Sequence, residues 1–200
     1  MGAGSEQGDD LAEALSGAST IGLDGAEALL REALRATARS VGASHSNHAA
    51  IGVSLADVLR TRGRLAEARA LAGAALSTCE RVFGREHPRT AAPLRALAEI
   101  DRAAGALPQA RARLERARAI LDAAEVRPVE RGYTLLDLAR VVHAQGGEPE
   151  RVRALVAEVR RLAEEAGQAG AALRADLAAW ADAAPELAAT LQDGEKDMSE

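Results

Sequence analysis

Apolar residues recur along most of the chain at the spacing of one face of a helix, and the segments that carry them come in pairs. In the clearest pair, Leu55 and Leu59 belong to a first helix over about 48–62, and the apolar pattern resumes in a second helix over about 65–82. Gly63 lies between the two segments, where the end of a helix is expected. The pattern therefore predicts helical hairpins rather than strands.

The same pattern predicts further helices before and after this pair. They run over about 24–40, 89–104, 107–124, 129–145 and 149–166, with a weaker helix at about 9–16 and a last one after residue 169. Pro108 and Pro149 fall in the first turns of two of these helices, where the missing N–H costs nothing. Pro93 lies inside a predicted helix, and it fits if that helix begins near Thr90.

Several positions repeat with a single period of 42 or 41 residues. The pair Leu55-Ala56 recurs as Leu97-Ala98 and again as Leu138-Ala139, and Gly63 recurs as Gly105 and Gly146. A fixed period of this length is typical of stacked two-helix repeats, in which each unit buries its apolar face against its neighbours. We therefore expect one domain over 9–192 that contains repeats at about 9–42, 48–84, 89–125 and 129–166. A capping helix is expected within 169–192, and disordered ends at 1–8 and 193–200.

Composition supports an all-α fold. Apolar residues make up 48 % of the chain, yet aromatic residues make up only 2 %, and alanine, leucine, arginine and glutamate dominate. These four are strong helix formers, whereas the residues that favour strands are scarce. The excess of arginine, with Lys196 as the single lysine, indicates high-GC coding rather than a chemical requirement.

Charge and segment patterns exclude several classes of protein. The net charge is −5, and the 23 arginines of residues 31–166 face 17 acidic residues there, which is too balanced for a nucleic-acid surface. The first residues lack the basic and apolar stretches of a signal peptide. No run approaches the roughly 18 apolar residues that cross a bilayer. We expect a cytoplasmic protein that binds neither nucleic acid nor membrane.

Candidate chemistry is sparse. Cys79 is the only cysteine, so the chain can form no internal disulfide and no cysteine-based zinc site, and its inward position predicts a packed side chain. His45, His48 and His87 could be considered as metal ligands, but linker positions explain His45 and His87 without metal. Neither a phosphate-binding loop nor a nucleophile or metalloprotease motif occurs. We predict no catalytic residue, no metal, no cofactor and no enzymatic activity.

One unit of the repeat carries a family resemblance. The residues Leu55-Ala56, Gly63-Arg-Leu-Ala-Glu-Ala68, Ala75-Leu76 and Gly84-Arg-Glu-His87-Pro88 resemble the tetratricopeptide repeat of the kinesin-light-chain type. The resemblance covers about residues 20–166, or about three and a half repeats. It implies a right-handed superhelical solenoid of antiparallel helix pairs, whose first helices line a concave groove that receives a peptide or another protein.

The sequence departs from this family just before each Leu-Ala pair. The family carries two asparagines there, whose amides hold a peptide backbone, and this chain has Val53-Ser54, Arg95-Ala96 and Leu136-Asp137 instead. The resemblance therefore does not carry the amide clamp over to this chain.

The offsets from each Leu-Ala pair predict which side chains face the groove. They are Asp57, Arg60 and Thr61 in the first complete unit, Arg95, Glu99 and Arg102 in the second, and Tyr133, Asp137, Arg140 and His143 in the third. One hypothesis is that the four arginines grip an acidic segment while Tyr133 anchors it. The alternative is local pairing, of Glu99 with Arg102 and of Asp137 with Arg140, on a solvated face.

These observations favour a non-catalytic scaffold or adaptor that binds a protein or peptide in its groove. Two alternatives stay open. The array and its Trp-containing last helix also resemble the C-terminal region of some bacterial serine/threonine kinases, which suggests a regulatory segment of a kinase-type signalling protein. The exposed end helix, with Leu173, Leu177 and Trp180, could instead pair with a second copy of the chain and form a homodimer.

Overall fold

The computed structural model of the protein describes residues 22–40, 42, 45–146 and 149–184, and within them it contains helices and no strand. The helices are α1 (Leu23–Ser40), α2 (Ser46–Thr61), α3 (Leu65–Phe83), α4 (Ala91–Ala103), α5 (Leu107–Asp122), α6 (Pro128–Ala144), α7 (Pro149–Glu165) and α8 (Ala171–Ala183). Short 3-10 helices, Pro88–Thr90 and Gly167–Gly170, precede α4 and α8. The predicted helix at 9–16 and the predicted disordered ends lie outside the described residues.

The helices stack in chain order as antiparallel pairs. Within each pair the contacts are densest, between α2 and α3, α4 and α5, and α6 and α7, and each pair packs on the next. The first helices also contact one another directly, α2 with α4, α4 with α6 and α6 with α8. The predicted all-α solenoid of helix pairs is therefore confirmed, and its first helices form one continuous face, which we call the groove face.

Leucine and alanine alternate in the core because the helices lie close together. Leu55, Ala56 and Leu59 of α2 are fully buried, and so are Ala68 and Ala72 of α3. Burial of a leucine side chain contributes about 1.5–3 kcal/mol, and the small alanines let neighbouring helices approach. The core thus repeats with the sequence period, with few aromatic rings.

The turns within the helix pairs are built around glycines. Gly63 adopts a positive φ of 75° and Gly105 one of 76°, each directly after a first helix ends. This left-handed conformation is costly for residues with a side chain, so glycine is the natural residue there. Pro93 is explained as well, because α4 begins at Ala91 and places the proline in its first turn, where no helical hydrogen bond is lost.

Two histidines cap helix starts: His45 caps α2, and His87 caps the short 3-10 helix that precedes α4. The Nδ1 atom of His45 accepts a hydrogen bond from the Asn47 backbone N–H, and Nδ1 of His87 accepts one from that of Arg89, both at 3.1 Å. Each bond satisfies one of the N–H groups that a helix start leaves free. Among the described residues, no three side chains of the metal-binding types converge. The capping role was not predicted from the sequence.

The cap at His87 can be tested by substitution. Replacing His87 with alanine should lower the free energy of unfolding by about 1 kcal/mol, because the Arg89 N–H loses its acceptor. Replacing it with asparagine, a strong N-cap residue, should recover most of that loss. Urea unfolding followed by circular dichroism measures both, and equal destabilisation by the two variants would contradict the capping role.

Ion pairs link the second helices of successive repeats. Arg31 of α1 contacts Glu67 of α3 at 3.3 Å, and Arg116 of α5 contacts Glu80 of α3 at 2.8 Å. A third pair joins α5 to α7, from Glu115 to Arg151 at 2.6 Å. We call these three pairs the outer ladder. Each pair is partly exposed, so each contributes little alone.

A buried carboxylate reinforces the middle of the solenoid. Asp101 of α4 is 2 % exposed, and its two oxygens accept hydrogen bonds from Arg69 of α3 at 2.5 Å and from Arg113 of α5 at 2.7 Å. A buried charge requires such partners, because desolvation alone would be costly. Asp101 therefore joins three helices from two repeats at one point.

The last helix is docked by apolar contacts within the chain. Leu173 and Leu177 of α8 are buried against the core that α6 and α7 share, and Trp180 packs beside them. Gly170, just before α8, lies so close to the backbone of Ala163 that a Cβ atom would overlap its carbonyl group. None of the helices that the structure describes combines the length and the apolar character needed to span a bilayer.

Candidate partner-binding groove

The structure places the predicted groove residues on the first helices, and ion pairs join most of them. In α2, the Arg60 guanidinium donates to Asp57 Oδ1 at 2.7 Å, and in α4, Arg102 donates to Glu99 Oε2 at 2.8 Å. Both pairs have the i,i+3 spacing of neighbours on one helix face. The predicted local pairing of Glu99 with Arg102 is therefore present.

Asp137 pairs mainly with another repeat. It is 4 % exposed, and its Oδ2 accepts bonds from Nε of Arg95 at 2.9 Å and from Nη2 at 2.7 Å. Arg140, the predicted local partner, is more distant from Asp137, at 3.5 Å. Burial raises the pKa of Asp137 above its usual value, although the Arg95 guanidinium acts in the opposite direction. The Arg95–Asp137 pair thus bridges α4 and α6 across the groove face.

Glu99 lies at the electrostatic centre of this region. Burial raises its pKa, but the hydrogen bond and charge of Arg102, together with the charge of Arg60, leave it below its usual value. The charge of Arg140 on α6 also lowers the pKa of Glu99. Charged side chains from three repeats therefore interact with one another. We call this part of the groove face the charged half, and it contains Asp57, Arg60, Arg95, Glu99, Arg102, Asp137 and Arg140.

The aromatic residues beside the charged half are covered by arginines. The Arg95 guanidinium lies 5.4 Å from the ring centroid of Tyr133, and that of Arg140 lies 5.9 Å from the Trp180 ring. His143 meets the same tryptophan edge-on, with 5.8 Å between ring centroids. These contacts are cation–π and aromatic pairs within the chain. The sequence did not predict that Trp180 would join the groove residues.

The N-terminal halves of the first helices form an open cleft of about 680 Å³. Small or apolar side chains make up most of its wall: Ala49, Ala50 and Val53 of α2, Cys79 and Phe83 of α3, Ala91, Ala92 and Pro93 of α4, Leu121 of α5, and Val126 before α6. Its volume matches that of sites that hold a ligand or several side chains of a partner. Of the predicted groove residues, Arg95 alone lines it.

Several polar side chains of the cleft already have hydrogen-bond partners within the chain. The Ser54 hydroxyl donates to the Ala50 carbonyl at 3.4 Å, and the Thr134 hydroxyl donates to the Glu130 carbonyl at 3.1 Å. His87 Nδ1 is occupied by its capping bond, and Arg95 by Asp137. The cleft is therefore mainly an apolar surface.

One wall of the cleft is an aromatic stack. The rings of Phe83 and His87 lie 4.9 Å apart and nearly parallel, and the Arg89 guanidinium lies 4.9 Å from the Phe83 ring centroid. Cys79 borders the same wall and is buried, and its burial raises the pKa of the thiol. Desolvation disfavours the thiolate, so this cysteine is a packing residue at neutral pH.

Sequence reasoning missed the cleft because its lining carries no distinctive signal. Alanine is common throughout the chain, and a cavity depends on side chains that are too small to fill a space. Phe83, the only phenylalanine, is the one residue in the wall that could have marked it.

Comparison with known proteins identifies the repeat. Residues 47–123 match the family model of the tetratricopeptide repeat. No curated protein matches the sequence.

Solved structures share the fold at low sequence identity. BtubC (BKLC) from P. vanneervenii superimposes with a TM-score of 0.63 and 22 % identity, over 73 % of this chain and 58 % of BtubC. Two crystal structures from Podosopora anserina, of kinesin light chain TPR-like repeats that are nearly identical to one another, give TM-scores of 0.61 and 0.58. Their identities are 22 % and 21 %, and the matches cover 88 % of this chain and 85 % and 88 % of theirs. This chain thus spans less than two thirds of BtubC.

Proposed function

We propose that this chain is a non-catalytic scaffold. The premise is that residues 47–123 are tetratricopeptide repeats, similar in sequence pattern and fold to those of kinesin light chains. The chain binds a segment of another protein on its groove face. Tetratricopeptide repeats are in general protein-interaction modules, and stacked repeats provide the extended surface that such binding uses. A cytoplasmic location remains the prediction from the sequence.

The observation that carries the proposal is the apolar cleft between the first helices. It extends over α2, α4 and the start of α6, so it belongs to three successive repeats. An apolar recess bordered by polar residues is typical of surfaces that bind another protein.

Filling the cleft tests this function. Tryptophan in place of Ala92 should abolish the capture of a partner from the native cell, because the indole occupies the recess. Tryptophan at Ala112, an exposed residue of α5 outside the cleft, is the matched control and should leave capture unchanged. Quantitative mass spectrometry of captured proteins compares the two. Equal capture by both variants, with both folded by circular dichroism, would exclude the cleft as the binding surface.

The finer proposal, an acidic partner, rests on the charged half of the groove face. Arg60, Arg95, Arg102 and Arg140 face the carboxylates of Asp57, Glu99 and Asp137 there, so these seven side chains together carry one surplus positive charge. That surplus favours acidic residues beside the apolar part of a partner.

Charge reversal tests the acidic partner. Arg60→Glu with Arg102→Glu should weaken the captured interaction about tenfold, or about 1.4 kcal/mol, and reduce its dependence on salt. Arg95 is kept in this test because it holds the buried Asp137. Unchanged affinity in the double variant would contradict an acidic partner and leave the cleft proposal intact.

The two alternatives have separate tests. A regulatory segment of a kinase-type protein predicts a kinase domain in the same polypeptide or among the captured proteins. Homodimerisation through Leu173, Leu177 and Trp180 must compete with the core, since both leucines are already buried within the chain. Light scattering that gives the mass of one chain would contradict the homodimer.

A further inference from the structure

We infer that the cleft takes an amphipathic helix with an aliphatic face, rather than an extended peptide. The inference rests on the proposed function, and it specifies the form and the chemistry of the bound segment. Three observations carry it: the hydrogen bonding of the cleft, the shape of its floor and the charges at its rim.

The cleft provides few partners for a peptide backbone. An extended segment exposes about one N–H and one C=O group per residue, and each must find a partner when it is buried. The described residues that line the cleft include no asparagine or glutamine, and the side chains of Ser54, Thr134 and Arg95 are engaged within the chain. A helix forms its backbone bonds internally, so it can enter such a surface without leaving them unmade.

The floor of the cleft is shaped for a helix. Adjacent alanines lie side by side on neighbouring first helices, Ala49 and Ala50 on α2 and Ala91 and Ala92 on α4. Side chains of this size let the backbone of a partner helix come close. The larger, partly exposed side chains of Val53, Phe83 and Val126 lie around them, so aliphatic residues at i, i+3, i+4 and i+7 of a helix would have walls to contact.

Two of the four charged residues that line the cleft, one of each sign, lie in successive linkers. Arg89 lies in the linker before α4, and Glu125 lies in the linker before α6; both line the cleft. Neither forms an ion pair with a residue in the described parts of the chain, although Arg89 contacts the Phe83 ring. Complementarity therefore favours a helix with an acidic residue toward Arg89 and a basic residue toward Glu125.

Two displayed peptide libraries test the inference on the full chain. Both randomise the same four positions, one within a helix-forming Ala/Glu/Lys host and the other within a host that prolines keep extended. We expect the helical library to yield binders with aliphatic residues at the randomised positions. Their affinity should fall at least tenfold on the Ala92→Trp chain and stay unchanged on the Ala112→Trp chain. Proline in the middle of a selected helix should also cost at least tenfold.

A cysteine introduced at an exposed position of the cleft reports its occupancy. In a chain with Cys79→Ala and Ala50→Cys, a bound helix should slow the reaction of the introduced thiol with a thiol reagent, and Ala112→Trp should leave that protection unchanged. The chain with Arg89→Glu and Glu125→Lys should select helices whose charges are reversed. Identical charge patterns from the parent and swapped chains would overturn the rim assignment.

The outcomes separate the two proposals. If only the extended library yields binders, and if these depend on the cleft, the helical form of the bound segment is contradicted and the proposed function is not. If neither library yields binders and the Ala92→Trp chain still captures its cellular partner, both are overturned. Because tryptophan at Ala92 could disturb folding, Ala50→Trp is measured in parallel, and loss of binding on both folded variants supports the cleft.

Discussion

Replacing Gly170 with alanine should lower the free energy of unfolding by about 3 kcal/mol, because the new Cβ atom would overlap the backbone carbonyl group of Ala163. A backbone carbonyl cannot rotate away as a side chain can, so relief requires the whole of α8 to shift. The emission of Trp180, the only tryptophan, should therefore change in the native state. Urea unfolding followed by tryptophan fluorescence measures both effects.

Gly73 provides the matched control for this substitution. It lies within α3, and a Cβ atom there would meet nothing within 4 Å. Alanine at Gly73 should stabilise the helix by as much as about 1 kcal/mol, because alanine loses less conformational freedom than glycine on folding. Equal free energies of unfolding for Gly170→Ala and Gly73→Ala would contradict a destabilising overlap between the new Cβ atom and Ala163.

Replacing Asp101 with alanine should cost about 2 kcal/mol of unfolding free energy, since it removes the carboxylate that joins α3, α4 and α5. The figure lies below that of a fully buried pair, because Arg69 and Arg113 keep 42 % and 33 % of their side chains exposed and can be solvated. Chemical unfolding at neutral pH measures the loss.

A double-mutant cycle separates the ion pairs from the packing of Asp101. Arg69→Ala should have a smaller effect in the Asp101→Ala background than in the parent chain, and the difference gives the coupling. The exposed pair of Arg161 and Glu165 is the control, and Glu165→Ala should change stability by no more than about 0.5 kcal/mol. Additive effects of Arg69→Ala and Asp101→Ala would contradict the role of Asp101 as a junction.

The fold was predictable because its signals are local and repeated. A helical period of apolar residues needs only a few neighbours in sequence, and Gly63 and Gly105 mark the same turn in successive units. A packed repeat also forces equivalent positions to keep equivalent sizes, which is why Leu55 and Leu97 lie in the same kind of buried site.

The candidate site was less predictable because its main contacts join different repeats. Local spacing predicted the pair of Asp137 with Arg140, which is present at 3.5 Å, but it did not predict the closer pair with Arg95 on the neighbouring helix. The angle between α4 and α6 decides which of the two arginines lies nearer to Asp137. The spacing of residues along one helix carries no information about that angle. Hydrophobic periodicity likewise predicts which face of a helix is buried, but it cannot predict that the alanines at 49, 50, 91 and 92 line an open cleft.

The outer ladder has a mechanical consequence. Its three rungs cross the junctions between second helices, so any bending that opens or closes the solenoid lengthens or shortens them. Partly exposed ion pairs weaken as ionic strength rises, because counterions screen them within about 10 Å at 0.1 M salt. Raising the salt concentration should therefore lower the stiffness of the solenoid modestly, and pulling on its two ends at low and high salt would record two different compliances.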